Sequence, residues 1–310
     1  MSDRQTTTLQ RDGVAVTKER LYRLLLAGCA ATTLAVTSGI IIALLGRTVA
    51  FFGEVSVIAY LTGTEWSPVI NGTFGVLPLI SGTLVITAVS AAIALPVGLG
   101  IAIYLSEYAA PKVRSVLKPT LEILAAIPTV VYGYFALVYV TPFLDGVLPL
   151  DLGTFNALSA GIVVGLVIIP MVSSISEDAI SSVPDSLRNA AYGLGSTKFD
   201  VSTKVVVPAA TSGIVSSYVL ALSRAIGETM IVVIAAGLSP KMPFFPDVLR
   251  NLTSSVQTIT SGIVQVAGAE NASGVLLDAM FALGITLFVL TLTMNILAEA
   301  VRRRYREEYN

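Results

Sequence analysis

Histidine is absent from this 310-residue chain, and its one cysteine, Cys29, stands inside an apolar run. No disulfide can form within the chain, a Cys/His zinc site is excluded, and so is His-dependent acid–base chemistry. Cys29 reads as a packing residue facing lipid or a neighbouring helix. Charge is scarce as well: Asp, Glu, Lys and Arg make up 13% of the residues, against roughly 25% in an ordinary soluble domain. There is no Gly-Lys dipeptide, and so no GxxxxGK[ST] loop of the kind that cradles nucleotide phosphates. What remains is apolar, 54% of the chain, with a mean hydropathy of +0.81.

That apolar content falls into six runs, about 24–46, 79–105, 123–144, 152–176, 205–238 and 279–298. Runs of about 20 residues suffice to cross a hydrocarbon core of about 30 Å. The expectation is an all-α, multi-pass membrane protein of six transmembrane helices. The first run follows a charged tail and is too long for the h-region of a cleavable signal peptide. Fifteen of the 19 Lys and Arg residues lie in the two tails and in the second and fourth connections, while the alternate loops hold Arg47, Lys241 and Arg250. The positive-inside rule then places both termini in the cytoplasm.

The expected partition is a Thr-rich, loosely ordered cytoplasmic tail over 1–22, then a first span with an extracytoplasmic segment over 23–78. A helical membrane domain over 79–299 and a basic cytoplasmic tail over 300–310 complete it. Within the outside segment, TGTEWSPVINGTFGVLP argues turns. Trp66 there reads as an interfacial anchor, or as a docking point for an external partner. Asn71, Asn251 and Asn271 begin glycosylation-type triplets, a weak signal at three residues. Pro96, Pro128 and Pro170 punctuate the apolar runs, which suggests kinked helices.

The fourth connection, Glu177 to Lys204, is too long and polar for a simple turn. Pro184 and Asp185 suit a helix start. Leu187, Ala190, Ala191 and Leu194 fall on one face, and Gly193 and Gly195 end the helix. Ser196 and Thr197 begin a second helix, with Phe199, Val201 and Val205 apolar, that enters the membrane at Pro208.

This connection resembles the EAA loop of ABC importer permeases, whose pattern is E-A-A, three residues, Gly, nine residues, then I-x-L-P. Here Asn189-Ala190-Ala191 leads by three residues to Gly195, and nine more lead to Val205-Val206-Val207-Pro208. Asn189 replaces the acidic first residue. FGVLPLISGTL (74–84), IAIYLSEYA (101–109), LEILAAIPTVVYGYFAL (121–137) and SRAIGETM (223–230) are similar to the phosphate-specific importer, most of all to its C-type permease. The resemblance covers about residues 55–300. It implies the type I permease fold and no catalysis by this chain. The implied partners are a homologous A-type permease, two copies of a cytoplasmic ATPase that bind ATP and Mg, and an extracytoplasmic phosphate-binding protein. It also implies that Arg188, Asn189, Ala190, Ala191, Gly195 and Pro208 form the ATPase coupling loop of a prokaryotic cytoplasmic-membrane protein. No nucleic acid, metal site or resident cofactor is expected.

The remaining anomaly is SRAIGETMIVV. Arg224 and Glu228 follow nineteen uncharged residues and precede twelve, where each ion costs roughly 2.5–3.5 kcal/mol on insertion scales. On a continuous helix an i,i+4 pair shares one face, about 6 Å apart along the axis. A salt bridge that only offsets its own burial is one reading. The other is that Arg224, Glu228 and Thr229 line a path for an anion, with a guanidinium fork for phosphate. Molybdate, tungstate or sulfate would satisfy the same fork. A secondary transporter with Glu228 as proton carrier is a further alternative, but it leaves the 177–204 loop unexplained.

Overall fold

A computed structural model describes residues 13–243, 247–270 and 273–304. The outer parts of both expected tails, 1–12 and 305–310, lie outside the described residues, as does Asn271. Helix α1 spans Gly13–Glu54 without interruption, which corrects the expected loose tail up to residue 22. The segment after Gly13 contains no glycine or proline and carries Lys, Glu, Arg and Leu, all good helix formers. Nothing therefore separates it from the apolar run. Cys29 is exposed on this helix.

Helix α2 (Val57–Thr62) and a two-stranded antiparallel hairpin, β1 (Trp66–Ser67) and β2 (Thr73–Phe74), come next, with Trp66 opposite Phe74. Trp66 is not an interfacial anchor. It is 2% exposed, in a cluster with Phe51, Tyr60 and Phe74 at the far ends of α1 and the later helices. Edge-to-face ring contacts of 5.4 and 5.5 Å join Phe51 to Phe74 and Tyr60, and the hairpin folds the tryptophan into that cluster.

Helix α3 (Leu77–Ile103) continues through a π-helical turn, Tyr104–Tyr108. The chain then forms α4 (Pro111–Ala126), α5 (Thr129–Phe135), a π turn (Ala136–Val140) and α6 (Thr141–Val147). Pro128 cannot donate a backbone hydrogen bond, and the chain breaks at Ile127–Pro128. The apolar stretch thus runs over 129–147, and residues 123–126 belong to α4, another shift from expectation. Helix α7 is Ala157–Ser181 and α8 is Asp185–Gly193. The chain goes on with α9 (Lys198–Val201), a π turn (Ser202–Val206), α10 (Val207–Ala209) and α11 (Thr211–Ile226). The last helices are α12 (Met230–Ala235), α13 (Val248–Thr253), α14 (Ile259–Ala267) and α15 (Val275–Arg304).

Among the described residues five helical segments are long and apolar enough to cross a membrane, and a sixth if Lys198–Ala209 and Thr211–Ile226, bent by 69°, form one span. The centre is α7, which lies parallel to α3 and antiparallel to α11. Lipid provides no hydrophobic drive between helices, so small residues and interhelical hydrogen bonds do the packing. A Cβ on Gly161 would stand 2.7 Å from the Cβ of Val89, and one on Gly98 2.6 Å from that of Val172. Ser90 donates to the Gly161 carbonyl at 2.9 Å, and the Ser176 and Ser217 hydroxyls share a hydrogen bond at 2.7 Å.

Candidate functional site

The Ser176–Ser217 contact fixes the depth of Arg224. Seven residues further along antiparallel α11, Arg224 lies about 10 Å beyond that contact, level with Ile169. Residue 169 is the midpoint of α7. Arg224 is therefore level with the middle of the bundle, and it is exposed on this chain's surface. Arg224 lines a cavity of about 280 Å³ with Val167, Pro170, Met171 and Ser174 of α7 and Leu121 of α4. Among the described residues it has no hydrogen-bond or ion-pair partner. A cation placed mid-bundle and left unpaired is a costly arrangement unless it faces water or a passing charge.

Glu228 is not its partner, contrary to the expected single-faced helical pair. Helix α11 ends at Ile226, Gly227 is its C-cap, and the chain restarts as α12 at Met230. The Gly227 and Glu228 amides bond back to Ser223 and Ala225 at 3.2 Å. Beyond the break the Glu228 carboxylate accepts from the Thr229 amide at 3.1 Å and the Ile231 amide at 3.5 Å. It thus satisfies N–H groups that the start of α12 leaves open. Thr229 donates its hydroxyl to the Gly227 carbonyl at 3.2 Å. Glycine ends α11, and the acid caps α12. The expected 205–238 span is therefore broken both after Ala210 and at 227–229.

At the α8 end of the same cavity stand Lys118 and Glu177, with Arg114 and Asp178 bonded to them, four charged residues that sequence reasoning did not select as a site. Glu177, fully buried, accepts from Lys118 of α4 at 2.8 Å and from Arg114. Lys118 also reaches Asp178 at 3.1 Å. The hydrogen bond to Glu177, opposed by partial burial, pushes the Lys118 ammonium above the usual lysine value. Helix α4 is thereby pinned to α7. The available signal was the Lys112–Arg114–Lys118 spacing facing Glu177–Asp178 across one connection, but spacing alone does not say which elements meet.

Gly195, at φ +84°, takes the left-handed conformation that ends α8, and Thr197 caps α9 by accepting from the Asp200 amide. Arg188 ties α8 down: it donates to Glu107 at 3.1 Å, to the Ile180 carbonyl at 2.9 Å and to the Val183 carbonyl. Ala191 is buried, whereas Asn189 and Ala190 are exposed and Leu194 is 88% exposed. Leu194 thus leaves the face predicted for it, because it caps the helix at φ −84°, ψ 2° and turns outward. Pro208 lies in α10, just before the 69° bend. Arg188 and its neighbours form a supported knob at one end of the bundle, with Arg224 well above it.

The sequence profile described as "Binding-protein-dependent transport system inner membrane component" matches residues 94–307. A Bacillus subtilis protein named "Probable ABC transporter permease protein YqgH" is 33% identical over 286 residues, 91% of this chain and 90% of that protein. "Phosphate transport system permease protein PstC" of Xylella fastidiosa (strain Temecula1) is 34% identical over 273 residues, covering 82% of this chain and 81% of its own. In fold, the chain is similar to a crystal structure of a bacterial ABC transporter involved in the import of the acidic polysaccharide alginate. The TM-score is 0.64 at 16% identity, over 94% of this chain and 99% of that one. The profile spans more than half of the chain, and relatives one-third identical cover most of it: the chain belongs to the inner-membrane components of binding-protein-dependent transport systems.

Proposed function

We propose that this chain is the C-type permease of an ATP-driven importer of inorganic phosphate, and that Arg224, Glu228 and Thr229 border the path. The observation that carries this is Arg224, a residue at half depth that lines a cavity and has no partner among the described residues, in a chain about one-third identical to named phosphate permeases over most of its length. Phosphate near neutral pH is a mono- and dianion that a planar donor fork suits. Arg224 offsets the charge of the anion in transit. Glu228 holds the broken helix open by capping α12, and so keeps the carboxylate from neutralising Arg224.

Family membership implies an ATPase and a substrate-binding protein as partners. On our reading the ATPase seats on the α8 knob, with Asn189, Ala190, Leu194 and Gly195 on its outer surface and Arg188 beneath. A homologous A-type permease completes the pair in the membrane, and both termini are cytoplasmic. Exchange of Asn for the acidic first loop residue removes a charge from the knob without altering its support, since Arg188 draws on Glu107 instead.

The deciding experiment is initial phosphate uptake in cells with and without this gene, with sulfate and molybdate as competitors. Gene-dependent uptake that excess phosphate blocks and molybdate or sulfate does not is the expected result. Gene-dependent uptake blocked best by molybdate or sulfate transfers the proposal to that oxyanion.

A further inference from the structure

The cavity at Arg224 has a neighbour. It shares Leu105, Lys118 and Glu122 in its lining with a second cavity of about 470 Å³, which lies toward the connection between α3 and α4 and is bordered by Ser106, Arg114 and Ser115. Lys118 thus stands at the neck between the two. From the level of Ile169 to Glu177, which holds the Lys118 ammonium, is about 12 Å along α7. Two cations therefore succeed one another along two adjoining cavities. Among the described residues Arg224 has no partner, while Lys118 is held by Glu177 at 2.8 Å and Asp178 at 3.1 Å.

We propose that Lys118 is a second phosphate station on the way out, masked by Glu177 in this conformation and uncovered when α4 moves from α7. This rests on the reading of the Arg224 cavity as the path. An anion at a lone guanidinium in mid-bundle has no onward site of comparable strength, so it would dwell there. A second cation at the neck supplies one. Arg114, which also bonds Glu177 and carries a 3.3 Å contact to the Ser181 hydroxyl, lies on the vestibule side of Lys118. The charges at the neck are Lys118 and Arg114 against Glu177, Asp178 and Glu122. With the pairs closed, the carboxylates cancel the cations and repel phosphate. With Glu177 withdrawn, the two cations face the cavity. The pair then acts as a charge-switched neck rather than as a simple strut.

The test uses the assembled importer in inside-out membrane vesicles, with Cys29→Ser, Ser115→Cys and Glu177→Gln in this chain, the last removing the charge that masks Lys118. Ser115 is exposed and lines the vestibule beside Lys118. We expect inorganic phosphate to slow labelling of that cysteine by a sulfonate-bearing thiol reagent several-fold, with chloride at equal ionic strength without effect. Lys118→Gln should remove the protection. Labelling that phosphate leaves unchanged, or protection that survives Lys118→Gln, overturns the proposal. A second measurement compares Lys118→Gln in the native chain and in Glu177→Gln, by maximal uptake rate at saturating phosphate. A station requires a several-fold loss in both backgrounds. A loss that vanishes once Glu177 is neutralised means that the lysine is only a strut. Failure of the path itself shows elsewhere, as normal uptake by Arg224→Gln.

Discussion

Thr260 donates its hydroxyl hydrogen to the backbone carbonyl of Glu228 at 2.8 Å, across 32 residues of sequence. Thr260 lies in the first turn of α14, and that turn is itself fixed to α3. The Ile259 amide donates to the Thr83 hydroxyl at 3.0 Å. A Cβ on Gly82 would lie 2.2 Å from the Gln257 carbonyl oxygen, so only glycine lets the two backbones meet. The break in the Arg224 helix is therefore held from the hairpin end of the bundle by two other helices. Thr260→Val keeps the shape and leaves the Glu228 carbonyl unpaired, at a cost of about 1–3 kcal/mol. Phosphate uptake should fall several-fold with assembly preserved, and Thr260→Ser should restore it. Equal uptake by Val and Ser variants would show that the contact is incidental.

Gly195 ends α8 at φ +84°, with no atom within 4 Å of where a Cβ would stand. Gly195→Ala meets only backbone strain, roughly 1–2 kcal/mol, and should still insert and transport. Gly195→Glu adds bulk and charge to the surface that we assign to the ATPase. Its expected signature is normal membrane insertion, lost uptake and weakened co-purification of the ATPase. Full transport by the Glu variant would remove the coupling role from this loop.

Arg188 and Glu107 form a pair whose side chains are 14% and 6% exposed. Glu107→Gln gives up a charged hydrogen bond worth about 1.5–3 kcal/mol, while the Ile180 and Val183 carbonyls still hold the guanidinium. The knob should loosen without detaching. More ATP should then be hydrolysed per phosphate imported, measured with purified importer in liposomes. An unchanged ratio would mean that α8 transmits force without this strut.

Orientation is open to direct labelling. Ile70 beside the hairpin is 87% exposed and Leu194 on the knob is 88% exposed. In a Cys29→Ser chain, Ile70→Cys should react with an impermeant thiol reagent in intact cells, and Leu194→Cys only after the membrane is opened. Labelling of both from outside would contradict the proposed topology, and labelling of Leu194→Cys alone in intact cells would reverse it.

Much of this was legible in the sequence because lipid leaves few options: uncharged runs must become helices, and the spacing from Asn189 to Pro208 encodes a turn that glycine makes possible. Gly195 and Thr197 act locally, so their roles could be read from neighbours in the chain. The relation of Arg224 to Glu228 could not. It depends on whether the helix continues through Gly227, and Thr260 and α14, which hold the far side of the break, lie more than thirty residues away. Glu177 was similarly hidden, since it counts as one acid at the head of a loop until α4 folds back and supplies Lys118 and Arg114. Trp66 was misplaced for the same reason: a two-residue strand pairing turns it inward.

Arg224 itself offers the most direct test. Arg224→Gln removes the charge, keeps a shorter polar side chain and breaks no bond with any described residue. The chain should therefore reach the membrane and co-purify with its ATPase as before. Initial phosphate uptake at saturating phosphate should fall at least about tenfold, equivalent to about 1.4 kcal/mol of lost stabilisation in transit. Near-normal uptake by an Arg224→Gln importer of normal assembly would contradict the central claim that this guanidinium faces the passing anion.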